Sequence, residues 1–304
     1  MSTTLPPPPP RFSRPPRATR PPRATLPPRA LGDRTTVEVA TLVVRYPAAR
    51  GKVVLRGDTL PLTWHSDIPA QTVDGDVSVF RVPVALGSSV EVKPYRADGK
   101  WSMGRNIVLA ARDVIEVAPT FERDSGILHP WTEVPVPGAA PLWIRVMLPP
   151  GYDEQTSTTH DVLYALDGQA LWSDQHDPFG VWGLDRGLDE LWRLGVLDDV
   201  IVVSINTGED RLGKLGPAPD RDHQGGQGEA FLHAVTEHLV PFIDAAYRTR
   251  PEADGRGLLG ASMGGLFAFY GAWTRPDLFG NAICLSSSFW WERSPDKRRL
   301  GCPI

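Results

Sequence analysis

The sequence predicts an α/β protein in which a parallel-type sheet follows a small all-β sandwich and a Pro/Arg-rich tail. Three observations carry this. From about residue 140, apolar strand runs alternate with stretches of helical periodicity. Between 35 and about 120, short valine-rich runs recur at roughly ten-residue spacing with turn residues between them. Ahead of both, Pro6 to Pro10 and a tandem Arg-Pro-Pro-Arg-Ala-Thr repeat leave almost nothing to bury. The expected division is a disordered tail at 1–34, a sandwich at 35–120, a linker at 121–140 and an α/β domain at 141–304.

The tail is basic, with Arg11, Arg14, Arg17, Arg20, Arg23, Arg29 and Arg34 against Asp33. It reads as an unselected extension or as a proline-rich ligand or basic arm for a partner. The net charge of -4 therefore leaves the folded part acidic, which does not suit nucleic acid as a partner. No stretch approaches the roughly 20 consecutive apolar residues of a membrane span. The N-terminus has no apolar secretory core, so a cytoplasmic protein is expected. The cysteines, Cys284 and Cys302, do not make a disulfide framework, and Cys284 reads as a buried free thiol.

In the sandwich, strands are expected at Val53–Leu55, Val77–Val84, Val90–Val92 and Val114–Val117. Turns are expected at Arg56-Gly57-Asp58, Asp74-Gly75-Asp76 and Asp98-Gly99-Lys100. Gly57, Leu62-Thr63-Trp64, Val92-Lys93-Pro94-Tyr95 and Trp101 to Asn106 resemble starch-binding carbohydrate modules. That resemblance implies Trp64 and Trp101 as sugar-stacking residues; the alternative is that both are core or corner residues. An accessory domain shaping the entrance to the catalytic site is the preferred reading.

In the α/β part, Leu142–Leu148, Val162–Leu166, Val200–Ile205, Leu258-Leu259 and Asn281–Leu285 read as strands. Val200–Ile205 is a continuous β-branched run, the pattern of a parallel strand buried on both faces. Leucines 184, 188, 191 and 194 mark one helix, residues 228–247 a second that Pro241 kinks or splits, and residues 264–273 a third.

The segment carrying chemistry is Gly260-Ala261-Ser262-Met263-Gly264, a G-x-S-x-G between a strand and a helix. A sharp strand–helix reversal strains the serine backbone and lifts its hydroxyl above the sheet edge. Glycines two before and two after let the backbones approach. The Met263 amide, at the helix start, can face a developing oxyanion.

Around this motif about 160 residues resemble the esterase family that includes enterochelin esterase, esterase D and the mycolyltransferases. The matching segments are Leu148 to Tyr152, Leu163 to Gln169, Leu239 to Asp244 with Tyr247-Arg248-Thr249, Gly260 to Gly265, Arg275 to Gly280, and Ser286 to Trp291. The resemblance implies an α/β-hydrolase fold and Ser262 as nucleophile, with Met263 and Gln169 supplying oxyanion amides. Asp167 is a turn residue in this reading, and Trp172 and Trp182 line the substrate pocket or simply pack. The substrate is a small-molecule ester, a siderophore by the nearest branch of the family, with no cofactor and no metal. Lys214 stands where the family commonly has glutamate.

In this fold the triad runs nucleophile, acid, histidine along the chain. His65, His129, His160, His176, His223, His233 and His238 all precede Ser262. Asp277, Glu292 and Asp296 follow it, none spaced as a triad acid. The expectation is a C-terminally truncated hydrolase whose acid and histidine lie beyond residue 304. The rival is that His223 or His176 substitutes for the missing base. Two further readings stay open: a non-catalytic, ligand- or carbohydrate-binding form, and an acyltransferase of the mycolyltransferase kind. His233, Glu237 and His238 read as a solvated helix face rather than a metal site, and Gly225 to Gly228 as a flexible loop.

Overall fold

The computed structural model describes residues 36–178, 180–220 and 224–291. The expected tail, His223, Glu292, Asp296 and Cys302 lie outside the described residues. Among the described residues, no helix is long and apolar enough to cross a membrane.

The β-rich part contains β1 (Val37–Arg45), β2 (Val53–Gly57), β3 (Thr72–Asp74), β4 (Val77–Ala85), β5 (Ser89–Arg96), β6 (Lys100–Trp101), β7 (Ile107–Ala110) and β8 (Val114–Val117). One sheet has the order β3-β4-β1-β8; in the other, β5 pairs with β2, β6 and β7. Period-2 alternation buries Ala40, Leu42 and Val44 of β1 and Phe80, Val82 and Val84 of β4. These join Leu55, Val90, Val92 and Leu109 in one apolar cluster. Sequence reading did not single out β1, β3 or β7. It also placed a turn at Arg56-Gly57-Asp58, whereas Arg56 and Gly57 close strand β2. The turns at Gly75 and Gly99 are where they were expected, both at positive φ.

The second part holds β9 (Ile127–Leu128), β10 (Thr132–Val134), β11 (Leu142–Leu148), β12 (Asp161–Leu166), α1 (Leu184–Arg193), β13 (Val200–Ile205), α2 (Arg211–Leu215), α3 (Gly228–Ala234), α4 (Val240–Ala246), β14 (Arg256–Ala261), α5 (Met263–Thr274) and β15 (Asn281–Leu285). Its sheet has the order β10-β11-β13-β12-β14-β15, with β9 also on β11. Strands β13, β12, β14 and β15 are mutually parallel. β11 runs antiparallel to β13, so the sheet is mixed rather than wholly parallel. The central β13 is buried almost throughout, as a strand covered on both faces must be.

Between α3 and α4 the helix widens into a π-turn at Val235–Leu239. Pro241 follows immediately and has no N–H to continue the ordinary ladder. That is the physical content of the kink expected there.

Glu154, in the loop after β11, ties the two parts together. Its nearly buried carboxylate accepts from the Tyr46 hydroxyl at 2.6 Å and from the Phe121 and Glu122 amides. Arg96 stands 3.7 Å away. Burial, and then the bond to Glu154, push the Tyr46 phenol up to about 12.

Candidate active site

Strand β14 delivers the chain to Ala261, and α5 begins at Met263. Ser262 between them adopts φ 56° and ψ -118°, a conformation that L-residues rarely occupy. Three backbone bonds hold it there. Its N–H donates to Leu285 O at 2.9 Å, and its carbonyl accepts from Leu266 N at 3.1 Å and Ser288 N at 3.0 Å. Met263, Gly264 and Gly265 are buried while Ser262 itself is exposed. The turn therefore presents one side chain and hides its neighbours.

The glycines of the motif have distinct reasons. A Cβ on Gly260 would overlap the Gly264 carbonyl, so the strand and helix ends can close only over glycine. A Cβ on Gly264 would stand 3.2 Å from Asp167 Oδ2, which brings the loop after β12 against the elbow.

That loop is held by a polar cluster. Asp167, at φ 59°, accepts from Arg211 Nε at 2.6 Å, Arg211 Nη2 at 2.7 Å and Thr207 Oγ1 at 2.8 Å. Arg211 also donates to Ala261 O at 3.2 Å, the carbonyl just before Ser262. Gln169, in the 3-10 turn Gly168–Ala170, exchanges two side-chain bonds of 3.2 Å with Thr207. Lys214 donates to Thr207 O at 2.8 Å, so it braces the same loop. The loops after β12 and β13 are thus stitched to the carboxyl edge of the sheet beside Ser262.

The tryptophans separate. Trp182 is 43% exposed, and its amide donates to Ala170 O beside Gln169. Trp172 is wholly buried, its indole N–H on Ser204 Oγ at 2.9 Å. It offers no surface to a substrate, which corrects the expectation that it lines the pocket. Its ring packs with Leu171, Leu188 and Trp192 in the core.

Among the described residues no histidine is bonded to the Ser262 hydroxyl; its partner is Ser288 Oγ at 3.1 Å. His129 faces Tyr247, His160 is buried against the Tyr152 ring, and His176 is exposed. His233 is exposed, and Glu237 pairs with Arg275. No group of three or more metal-ligating side chains occurs among the described residues. Cys284 is free and half-buried, and burial pushes its thiol up, away from a reactive thiolate. Sequence reasoning met Arg211, in the family-like stretch before Lys214, and Ser288, in a matching segment, without giving either a role. It missed Thr207, since a lone hydroxyl after a strand carries no spacing signal.

The model of the family described as "Putative esterase" matches residues 140–300. Among curated proteins, the uncharacterized protein YbbA of Bacillus subtilis (strain 168) is 28% identical over 155 residues, covering 49% of this chain and 58% of that protein. A siderophore enterobactin esterase of Emericella nidulans is 34% identical over 74 residues, 24% of each chain. The matches thus span less than two thirds of either curated relative. Among solved structures, the enterobactin esterase FES of Shigella flexneri aligns at a TM-score of 0.44 and 17% identity over 88% of this chain and 75% of that one. An IroE-like serine hydrolase from Shewanella oneidensis aligns at 0.43 and 25% identity over 53% of this chain and 51% of that one. With the family model covering more than half of its residues, and the elbow at Ser262 inside the matched stretch, the chain belongs to this esterase family.

Proposed function

We propose that this α/β-hydrolase chain acts on carboxylic esters through an acyl-serine intermediate on Ser262. The observation that carries the reading is the exposed Ser262 at positive φ between β14 and α5. Ser262 Oγ attacks the ester carbonyl carbon, and the carbonyl oxygen takes the negative charge. The Met263 amide, at the unpaired start of α5, and the Gln169 amide stabilise that oxyanion. The carbon–oxygen bond to the alcohol then breaks, and the proton given up by the Ser262 hydroxyl leaves on the alcohol oxygen. Water attacks the acyl-serine, releases the acid and restores the hydroxyl. Asp167 and Arg211 position the Gln169 loop, and the exposed Trp182 contacts substrate.

A siderophore ester is the proposed substrate, on the likeness to the Emericella protein, which is called a siderophore enterobactin esterase. The β-rich residues 35–120 form an accessory domain at the entrance, joined through 121–140 to the esterase part at 141–304. The separate apolar cluster of the β-rich part supports that division. The test is hydrolysis of p-nitrophenyl butyrate and of a siderophore trilactone by the protein and by S262A. Turnover is expected in the first and none in the second; equal rates sink the reading.

A second reading, ligand binding without turnover, is favoured by one observation. Among the described residues the Ser262 hydroxyl meets Ser288 and no imidazole, and a serine without a positioned base is a weak nucleophile. Substrate binding with no product in the same assay supports it.

A further inference from the structure

A second site lies on the β-rich part. On β5, Val90 and Val92 are buried, so Glu91, Lys93 and Tyr95 share the outer face. Register sets Arg56 directly opposite Lys93, and Tyr95 opposite Trp101. Two cations facing each other across a strand pair repel. Arg56 is compensated: it lies 3.5 Å over the Tyr95 ring centroid, pairs with Asp67 at 2.7 Å and donates to Trp64 O at 3.3 Å.

Lys93 is not compensated. Its ammonium donates to Gly104 O at 2.8 Å and makes no ion pair among the described residues. The side chain is half-buried, and burial lowers its pKa. An ammonium has three protons to place, and Gly104 takes one. Nearby, Glu91 accepts from the Asn106 amide at 2.9 Å.

Lys93 and Asn106 line an open, shallow depression of about 300 Å³ with Trp64 and Trp101, and Arg56 lies 5.3 Å from the Trp101 ring centroid. The two indole rings are 6.0 Å apart at 60°, and Trp101 is 38% exposed. Flat apolar walls suit a ring, and the unpaired ammonium suits an anionic oxygen. Arg56 is neutralised by Asp67 and Glu91 is engaged by the Asn106 amide, so the Lys93 ammonium is the charge left open to a ligand.

We propose that this depression binds a planar aryl carboxylate, its ring against Trp64 and Trp101 and its carboxylate on Lys93. The site makes no use of Ser262 and stands apart from the esterase reading.

The test is calorimetric titration of the full chain with 2-naphthoate, with its neutral counterpart 2-naphthalenemethanol, and with maltoheptaose. One naphthoate per chain is expected. K93Q should weaken naphthoate about tenfold, the worth of a charged hydrogen bond, while sparing the neutral alcohol. W101A should weaken both aromatic ligands. Lys93 is partly exposed, so K93Q decides the matter even where W101A lowers the thermal transition. The proposal is overturned by naphthoate binding that K93Q leaves unchanged, by maltoheptaose binding in place of naphthoate, or by no naphthoate binding.

Discussion

Arg211 grips both carboxylate oxygens of Asp167, at 2.6 and 2.7 Å, and with the same nitrogen reaches the carbonyl of Ala261. One guanidinium therefore fixes the Gln169 loop relative to the Ser262 elbow. R211M should cost about 2 kcal/mol of stability, because it leaves a buried carboxylate short of donors. In the esterase reading it should also lower kcat about a hundredfold, the scale of one lost oxyanion donor, with KM little changed. R211K should rescue only partly, since an ammonium cannot make the two-point bond. Urea unfolding and steady-state kinetics check both effects.

Gly260 faces the Gly264 carbonyl so closely that a methyl group does not fit. G260A should lose about 1–3 kcal/mol through overpacking and should move Ser262 out of register. A folded G260A with unchanged stability would show that the strand–helix closure is looser than described.

Glu154 bonds Tyr46 and two backbone amides across the two parts of the chain. E154A should destabilise by about 3 kcal/mol, since Arg96 and the amides lose their buried partner. In E154Q the Tyr46 phenol should titrate below the about 12 of the native protein. It should stay above its ordinary value, because burial is the larger cause. Spectrophotometric titration of tyrosinate reads this.

His160 and Asp199 should give opposite pH dependences. Burial, with Arg248 nearby, lowers His160 from 6.5 to about 4. Acidification from 6.5 to 4 then protonates the unfolded imidazole first and costs stability. Burial, with Asp198 nearby, raises Asp199 from 3.8 to about 6. Between those values the folded carboxyl holds its proton while the unfolded one releases it, so acidification there adds stability. Each effect is about 3 kcal/mol, and they offset near pH 5. D199N should steepen the acid loss relative to the native protein, and H160Q should reverse it. Urea unfolding at several pH values distinguishes the variants; parallel curves would contradict this.

Much of the α/β part was legible because its signals are local. The β-branched run Val200–Ile205 is a strand with the bounds expected, and so is Asn281–Leu285. The G-x-S-x-G pattern located the positive-φ Ser262. What sequence could not supply was pairing. The antiparallel β11 and the Asp167–Arg211–Thr207 cluster depend on contacts between residues about 40 or more positions apart. Trp172 failed as a pocket residue because closeness in sequence to the Asp167 loop says nothing about which face a ring takes. Here it takes the core. In the β-rich part, short edge strands such as β3 and β7 are too weakly patterned to read alone.

The proposal that matters most is that Ser262 is the nucleophile of an ester hydrolase. Its most direct test is incubation of the full chain with a fluorophosphonate ester, followed by intact-mass and peptide mass spectrometry. One phosphonyl group per chain is expected, on Ser262, and none in S262A. An unmodified protein, or label carried on another residue and retained in S262A, would contradict it.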